Sequence, residues 1–554
     1  MKYNKIVLSI FAGLAFAACQ DLDDMVPAGA SQTDDQVKET NELIPSRTNA
    51  TFIGMFSMMG QPNGVFQYPS TRSCRADDFG FIAAALSQDA EGPDFFYPNN
   101  DYSWFSTCGE YSSRNPDYAN PYLRYAVAYN QIKLANDVIS SIADDPSDPE
   151  LRSKLGQAYA IRAFDYLSLA PFFQYTYLVA KDKPCVPIVL AGVEVDYGNN
   201  PRASVEEVYT VIYNDLTKAI ALLDPATVDA RTNKFRLDQH VAYGLRARAN
   251  LVMGNYGEAA SDAEKAAEGY TPASIAEVSV PSFMDISEHN WIWGIDMVNN
   301  DIKAVRGGYY ATSSSWLRSF SGDGYAAGAG CYPLINNVLY ELIPATDVRK
   351  GWWVNEDLES PLLAAVTWNG KTGNDIPPMT ITDVKEPFPP YTNVKFGMAK
   401  VGEVDNDDDY PLMRVEEMIL IQAEALYRDG SEAEGKALLE DFVKTYRDPS
   451  YSLPDEMTRT FLNEVWFQRR IELWGEGFGM PDVFRLRKNV CRFVDGKPSN
   501  CPDAFKFNIA YDDPWLLMRF CTDETNQNSG IVNNTGGNQP TPGQNPSLTD
   551  GVTR

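Results

Sequence analysis

The sequence predicts a mainly α fold in which antiparallel helical pairs form a scaffold that carries one large loop-rich insertion with short strands. Three observations predict it. Apolar residues recur at helical spacing over about 121–270 and again over about 410–490, with capping signals at the ends of the runs. Between them, over about 271–409, this periodicity gives way to short stretches loaded with Gly, Pro, Ser, Trp and Tyr. The 554-residue chain is 44% hydrophobic and 12% aromatic, enough to bury an extensive core.

The chain opens on an address. Lys2 and Lys5 precede an apolar run from Ile6 to Ala18 that is too short to span a bilayer, and the small Ala17 and Ala18 suit a peptidase pocket. Residues 1–18 therefore read as a signal peptide. Cys19 follows the cut and resembles the acylated cysteine of a bacterial lipobox; several acyl chains there would hold the protein on a membrane. Residues 19–45 are polar and acidic without periodicity and read as a tether, ahead of a single body at 46–521.

Within the body, Pro121 to Ile142 is a helix. Asp148-Pro149-Glu150 supplies an N-cap, a first-turn proline and a first-turn acid for the next, which is expected to stop at about Ala170, before Pro171. Ser204 and Glu207 form a capping box ahead of the stripe Val205, Val208, Ile212, Leu216, Ala219 and Leu223. Its partner runs from about Leu237 to Met253 and ends at Gly254, and an alanine-rich helix starts at Tyr256. In the insertion only Leu334 to Leu342 keeps a helical stripe. Helices resume at Leu412, Val415, Ile419, Ala423 and Leu426, end at Gly430 and restart through a second capping box, Ser431 and Glu434. A last helix carries Phe467, Ile471, Trp474 and Phe478 on one face. Residues 522–554, rich in Asn, Gly, Pro, Gln and Thr, are expected to be disordered. Helical pairs joined by a turn such as Asn255-Tyr256-Gly257-Glu258-Ala259 resemble degenerate tetratricopeptide repeats.

Several stretches together resemble the SusD/RagB family of outer-membrane nutrient-binding lipoproteins. They are Tyr159-Ala160-Ile161-Arg162-Ala163-Phe164-Asp165-Tyr166-Leu167, Pro201 to Tyr209, Tyr410 to Ala425, and Gln468-Arg469-Arg470-Ile471-Glu472-Leu473-Trp474-Gly475-Glu476-Gly477. The resemblance implies a tetratricopeptide-like scaffold, a variable loop face that binds nutrient, and a SusC-like TonB-dependent transporter beneath it. It also implies a lipid anchor at Cys19 in the cell outer membrane, facing the exterior. Glycan is the ligand class it favours; a peptide-import lid and a surface glycoside hydrolase are the alternatives.

Composition excludes other classes. A formal charge of −28 repels phosphate backbones, so nucleic acid is not an expected partner. Cys74, Cys108, Cys185, Cys331, Cys491, Cys501 and Cys521 are an odd set for a disulfide framework, although Cys491 and Cys501 are near enough in sequence to pair. With only His240 and His289, a histidine metal cluster is excluded, and no HExxH, GxSxG or P-loop pattern occurs, so no catalytic residue and no cofactor is assigned. Asp405, Asp407, Asp408 and Asp409 with Glu416 have calcium-loop spacing, but Tyr410 stands where such a loop needs glycine. Gly322-Asp323-Gly324-Tyr325-Ala326-Ala327 spells a dinucleotide fingerprint without the flanking strand and helix. Arg469, Arg470 and Glu472 read as helix-surface ion pairs, not as an anion site.

Loop aromatics carry the remaining signal, because sugar rings stack their apolar faces on flat side chains while their hydroxyls bond to polar neighbours. Tyr309, Tyr310, Trp316 and Tyr325 stand among Ser313, Ser314, Ser315, Arg318 and Asp323. Tyr102 and Trp104, beside Asn99, Asn100 and Asp101, offer a second wall. The ligand-binding candidates are thus Trp316, Tyr309, Tyr310, Trp104, Tyr102, Arg318 and Asp323. Trp291, Trp293, Trp352 and Trp353 have apolar neighbours and are assigned to the core.

Overall fold

The computed structural model describes residues 34–60, 80–97, 104–297, 316–321, 326, 330–365, 367–368, 371–372, 388–397, 408–453 and 458–553. The N-terminal part comprises α1 (Asp34–Leu43), α2 (Asn49–Ser57), α3 (Gly80–Glu91), strand β1 (Phe95–Phe96) and α4 (Trp104–Gly109). The repeat scaffold begins with α5 (Ala119–Ser141) and α6 (Pro149–Phe173), and continues through the short α7 (Tyr177–Ala180) to α8 (Val205–Leu222), α9 (Gln239–Met253) and α10 (Tyr256–Ala267). The insertion holds α11 (Ile275–Val278), β2 (Trp291–Ile295), β3 (Leu334–Ile335), α12 (Asn337–Tyr340), β4 (Thr367–Trp368) and β5 (Lys371–Thr372). The chain returns through β6 (Tyr410–Arg414) to α13 (Val415–Arg428), α14 (Glu432–Tyr446), α15 (Phe461–Glu472), α16 (Gly479–Leu486) and α17 (Thr522–Gln527).

The caps read from sequence do their expected work at most helix starts. Asp148 accepts from the Glu150 and Leu151 amides, the Ser204–Glu207 capping box forms in full, and Gly254 closes α9 at φ 83°. Helices α5, α6, α8, α9 and α10 pack successively, and α10 packs against α13. The insertion therefore leaves and re-enters between two touching helices, and its described residues Trp291, Trp293, Trp352 and Trp353 join the main core.

Five expectations are corrected. Helix α6 continues through Pro171 to Phe173: the lost hydrogen bond and ring clash cost about 3 kcal/mol, and burial of Phe172 and Phe173 at about 1.5–3 kcal/mol each offsets it. Leu412 lies on β6, which pairs antiparallel with β2 in the register Trp291↔Arg414 and Ile295↔Tyr410. The Ser431 side chain makes no cap bond. Helix α15 stops at Glu472, leaving Trp474 and Phe478 beyond it, because Gly475 and Gly477 adopt φ of 80° and 85°. A Cβ on Gly475 would stand 2.6 Å from the Phe396 ring, and one on Gly477 2.8 Å from Ala85 Cβ.

The fifth concerns the termini. Residues 34–43 of the expected tether form α1, tied down where Asn41 Nδ2 donates to Ser141 O at 2.7 Å. Residues 522–553 are ordered against the body by asparagine amides that bridge backbone groups. Asn528 exchanges bonds with Asn200, Asn533 with Phe520, and Asn534 Nδ2 donates to Phe173 O and Met518 O. Polar composition signals disorder when nothing satisfies the polar groups; here the body's own backbone does so. Asp550 then pairs with Arg470 at 2.8 Å.

Trp291, Trp293, Trp352 and Trp353 are fully buried, as assigned. Cys491 and Cys501 are both buried and are not joined by a disulfide, and Cys491 Sγ lies 3.6 Å from Leu548 O. Among the described residues no helix is long and apolar enough to cross a membrane.

Candidate functional site

Phe105 and Trp316, one from each of the two aromatic stretches singled out in sequence and more than 200 residues apart, meet on one aromatic floor. Strand β1 pairs with β3 (Phe95↔Ile335, Phe96↔Leu334) and delivers Tyr97 beside α4. Tyr97 stacks on Phe105 with centroids 5.3 Å apart and planes 24° apart. Both present their rings edgewise to Trp316, and the Tyr97 hydroxyl donates to Trp316 O at 2.9 Å. Behind them the aromatic run continues through Phe95 and Trp474 (4.5 Å), then Trp353, Trp352 and Phe283.

Charged groups pin this floor from below. Lys395 Nζ donates to Glu472 O, Trp474 O and Glu476 Oε1 at 2.7–2.9 Å and lies 4.6–4.9 Å from the centres of Phe283, Trp352 and Phe396. Burial pushes its ammonium down to about 8 although Glu476 opposes the shift. Glu472 receives Arg349, Arg414 and Arg447 at 2.8–3.3 Å. Burial disfavours its ionised form, but Arg447, Arg414 and Arg349 together hold its carboxyl well below the usual range.

Arg318 closes the insertion's base. Its Nη2 donates to Phe283 O at 2.6 Å and Asp409 O at 3.0 Å, its Nε donates to Gly397 O, and Asp408 stands 3.8 Å away. Asp409 accepts from the Ile286 and Met297 amides, and burial raises its carboxyl to about 7. Arg318 thus ties together three backbone positions of the insertion, Phe283, Gly397 and Asp409.

These placements correct two site assignments. Trp316 has 0% exposure and is a core ring, and Arg318, at 1%, is spent on backbone carbonyls. Local sequence makes both resemble ligand contacts because it does not reveal which side of a loop a flat or charged residue faces. Tyr309, Tyr310, Tyr102 and Asp323 lie outside the described residues, as does the Trp104 side chain, although Trp104 begins α4. Cys19, Asp405, Asp407 and Tyr325 lie outside them too. The calcium reading loses its twelfth ligand: Glu416 is buried and engaged by Ala273 N, Asn290, Arg447 and Arg414. Arg469 and Arg470 pair with acids of other elements, Asp482 and Asp94, and not within their helix.

Neither Tyr97 nor Lys395 stands out in the sequence, and Glu472, which reads there as one of a set of helix-surface ion pairs, is instead buried among Arg349, Arg414 and Arg447 of other elements. Tyr97 had a readable signal, the run Phe95-Phe96-Tyr97 directly before Pro98-Asn99-Asn100. Lys395 had none, since its three acceptors all lie more than 70 residues away.

Comparison with known proteins follows the same architecture. Residues 82–251 match a SusD-like family model described as starch-binding and associating with the outer membrane, and residues 367–546 match the SusD family model. No curated protein matches the chain. Among solved structures, a SusD-like carbohydrate-binding protein from Bacteroides vulgatus superposes with a TM-score of 0.69 at 21% identity, covering 88% of this chain and 97% of its own. A laminarin-binding SusD-like protein gives 0.59 at 17% identity, covering 89% and 99%. Surface glycan-binding protein A from Bacteroides thetaiotaomicron, in complex with laminarihexaose, gives 0.59 at 14% identity, covering 88% and 99%. These likenesses show a shared fold, and the two family models together span more than half of the sequence. The chain belongs to the SusD/RagB family.

Proposed function

We infer that the protein is a cell-surface lipoprotein, anchored in the outer membrane through Cys19, that captures oligosaccharide and passes it uncleaved to a SusC-like TonB-dependent transporter. The observation that carries this reading is the match of both halves of the scaffold to one family, whose N-terminal model is described as starch-binding. The aromatic floor supports it. Two stretches rich in aromatic and polar residues adjoin this buried base in sequence, and stacking on sugar faces needs rings whose positions are set in advance. With Trp316 and Arg318 committed to that base, Tyr102, Trp104, Tyr309, Tyr310 and Asp323 are the proposed ligand contacts. Recognition by a few stacked rings gives moderate affinity, which suits a protein that must release its ligand.

Affinity electrophoresis of the purified protein in gels containing individual glycans, laminarin and starch among them, tests the reading. Retardation by a glycan without new reducing ends is expected, and a Tyr309→Ala/Tyr310→Ala variant should lose most of it. New reducing ends would instead make the protein a hydrolase. No retardation by any glycan, with retention of oligopeptides, would make it a peptide-binding lid.

A further inference from the structure

The helical scaffold contains a cavity of about 120 Å³ between α3, α6, α9, α13 and α16. Phe164, Leu167, Leu251, Ile421, Phe478 and Phe484 give it apolar walls. An engineered apolar cavity of similar size, about 150 Å³, binds one benzene ring. It adjoins a cleft of about 280 Å³ through shared residues Thr176, Leu251 and Arg485, and the exposed Leu178 and Val179 line that cleft.

Two residues that line the cavity each carry a polar atom with no hydrogen-bond partner although their side chains are more than nine-tenths buried: Thr176 Oγ1 and Arg469 Nη1, Arg469 also lining a smaller pocket beside Trp466 and Trp474. The cost of such groups is ordinarily avoided, at about 1–3 kcal/mol each and more for a charged one. The other arginines on the wall are engaged. Arg248 is paired with Glu417 at 2.7 Å, and Arg485 with Glu424 and Asp482 at 2.7–2.9 Å. Arg469 itself gives Nε and Nη2 to Asp482 and keeps Nη1 over. In the adjoining cleft Arg428, Arg485 and Arg487 outnumber Glu424, the one acid on its wall, in a chain that is otherwise strongly acidic.

We propose that this cavity is a second binding site, separate from the glycan face, for a small monocarboxylate with an apolar body of about one ring. The ring occupies the apolar pocket. The carboxylate oxygens, with several lone-pair sites between them, accept from Arg469 Nη1 and the Thr176 hydroxyl. A neutral ring would leave both donors unmet, and a bare sugar would meet an apolar wall with its hydroxyls.

Fluorine NMR of 4-fluorophenylacetate titrated with the full chain tests the site, with phenylacetate, acetate and fluorobenzene as competitors or controls. Saturable binding is expected, displaced by phenylacetate and not by acetate, with fluorobenzene at least tenfold weaker. Ser168→Phe, which places a ring in the cavity, should abolish binding, and Thr176→Val should weaken it about fivefold. If Ser168→Phe does not fold, Thr176→Val decides. Both variants should keep wild-type glycan retention, so failure here and failure of the glycan reading are separate results. A cavity filled by water only would give no saturable binding at millimolar probe, and this outcome overturns the proposal. So does binding that Thr176→Val leaves unchanged, or fluorobenzene binding as tightly as the carboxylate.

Discussion

Replacing Glu472 by Gln probes the buried charge network that supports the aromatic floor. Glu472 is fully buried and accepts four bonds, from Arg349 Nη1 (3.3 Å), Arg414 Nη1 (3.1 Å), Arg447 Nε (2.8 Å) and Arg447 Nη2 (2.9 Å). Gln keeps one oxygen, for the Arg414 and Arg447 Nη2 pair, and turns an amide donor toward the Arg349 and Arg447 Nε donors. Two charge-assisted bonds at about 1.5–3 kcal/mol each are lost, and removing one partner of a buried pair costs about 3–5 kcal/mol. Unfolding entropy of about 2.1 cal/mol/K per residue over roughly 500 residues is about 1 kcal/mol/K, so about 4 kcal/mol lowers Tm by about 4 °C. The pH dependence has a definite sign. The carboxyl is held low in the folded protein, so its contribution is present above the unfolded value of about 4.3 and fades as pH falls through the folded value. Calorimetry at pH 7 and pH 3.5 should show the full deficit at the first and a smaller one at the second. As a control, Lys133→Ala, which breaks an exposed pair with Asp137, should shift Tm by less than about 1 °C. A Glu472→Gln protein within about 1 °C of wild type at pH 7 would refute the claim that this carboxylate holds the three arginines in place.

Asp165 is 2% exposed, its Oδ2 has no partner, and burial pushes its carboxyl well above the usual range. Its stabilising contribution is therefore present below about pH 3.9 and lost as pH rises through the folded value; Asp165→Asn should match wild type in Tm near pH 4 and exceed it increasingly toward pH 8. Trp316→Ala should destabilise the protein by about 3–5 kcal/mol, as a core deletion does, lowering Tm by about 3–5 °C, whereas a surface ring would cost little. Asp550→Ala removes the Arg470 pair and the bonds from Val552 N, Thr553 N and Thr553 Oγ1. Carboxypeptidase, followed by mass spectrometry, should then trim the C-terminus roughly tenfold faster than in wild type, the loss of about 1.4 kcal/mol of local protection being enough for that.

Helices whose signals are local were legible. The Ser204–Glu207 box, the Asp148 cap and the Gly254 stop each depend on a few neighbouring residues, and each forms as read. The second box at Ser431 shows the limit, since its residues are right and the side-chain bond is not made. The stop at Pro171 failed because two buried phenylalanines outweigh a local penalty. The tail failed because its asparagines find backbone partners hundreds of residues away, such as Asn528 on Asn200 and Asn534 on Phe173. In the site, aromatic content drew attention to Trp316 but not to the direction of its ring, which is fully buried.

By itself the sequence determined the scaffold class, the place of the insertion, the burial of Trp291, Trp293, Trp352 and Trp353, and the family. These follow from periodicity, caps and apolar context, all short-range properties of the chain. Only the tertiary structure decided that Tyr97, Phe105 and Trp316 form one floor, that Arg318 ties backbone instead of facing ligand, and that Lys395 and Glu472 support the floor from beneath. The reason is physical. Burial and pairing of a charged or flat side chain are set by partners far along the chain, and no local spacing encodes which of its faces meets water.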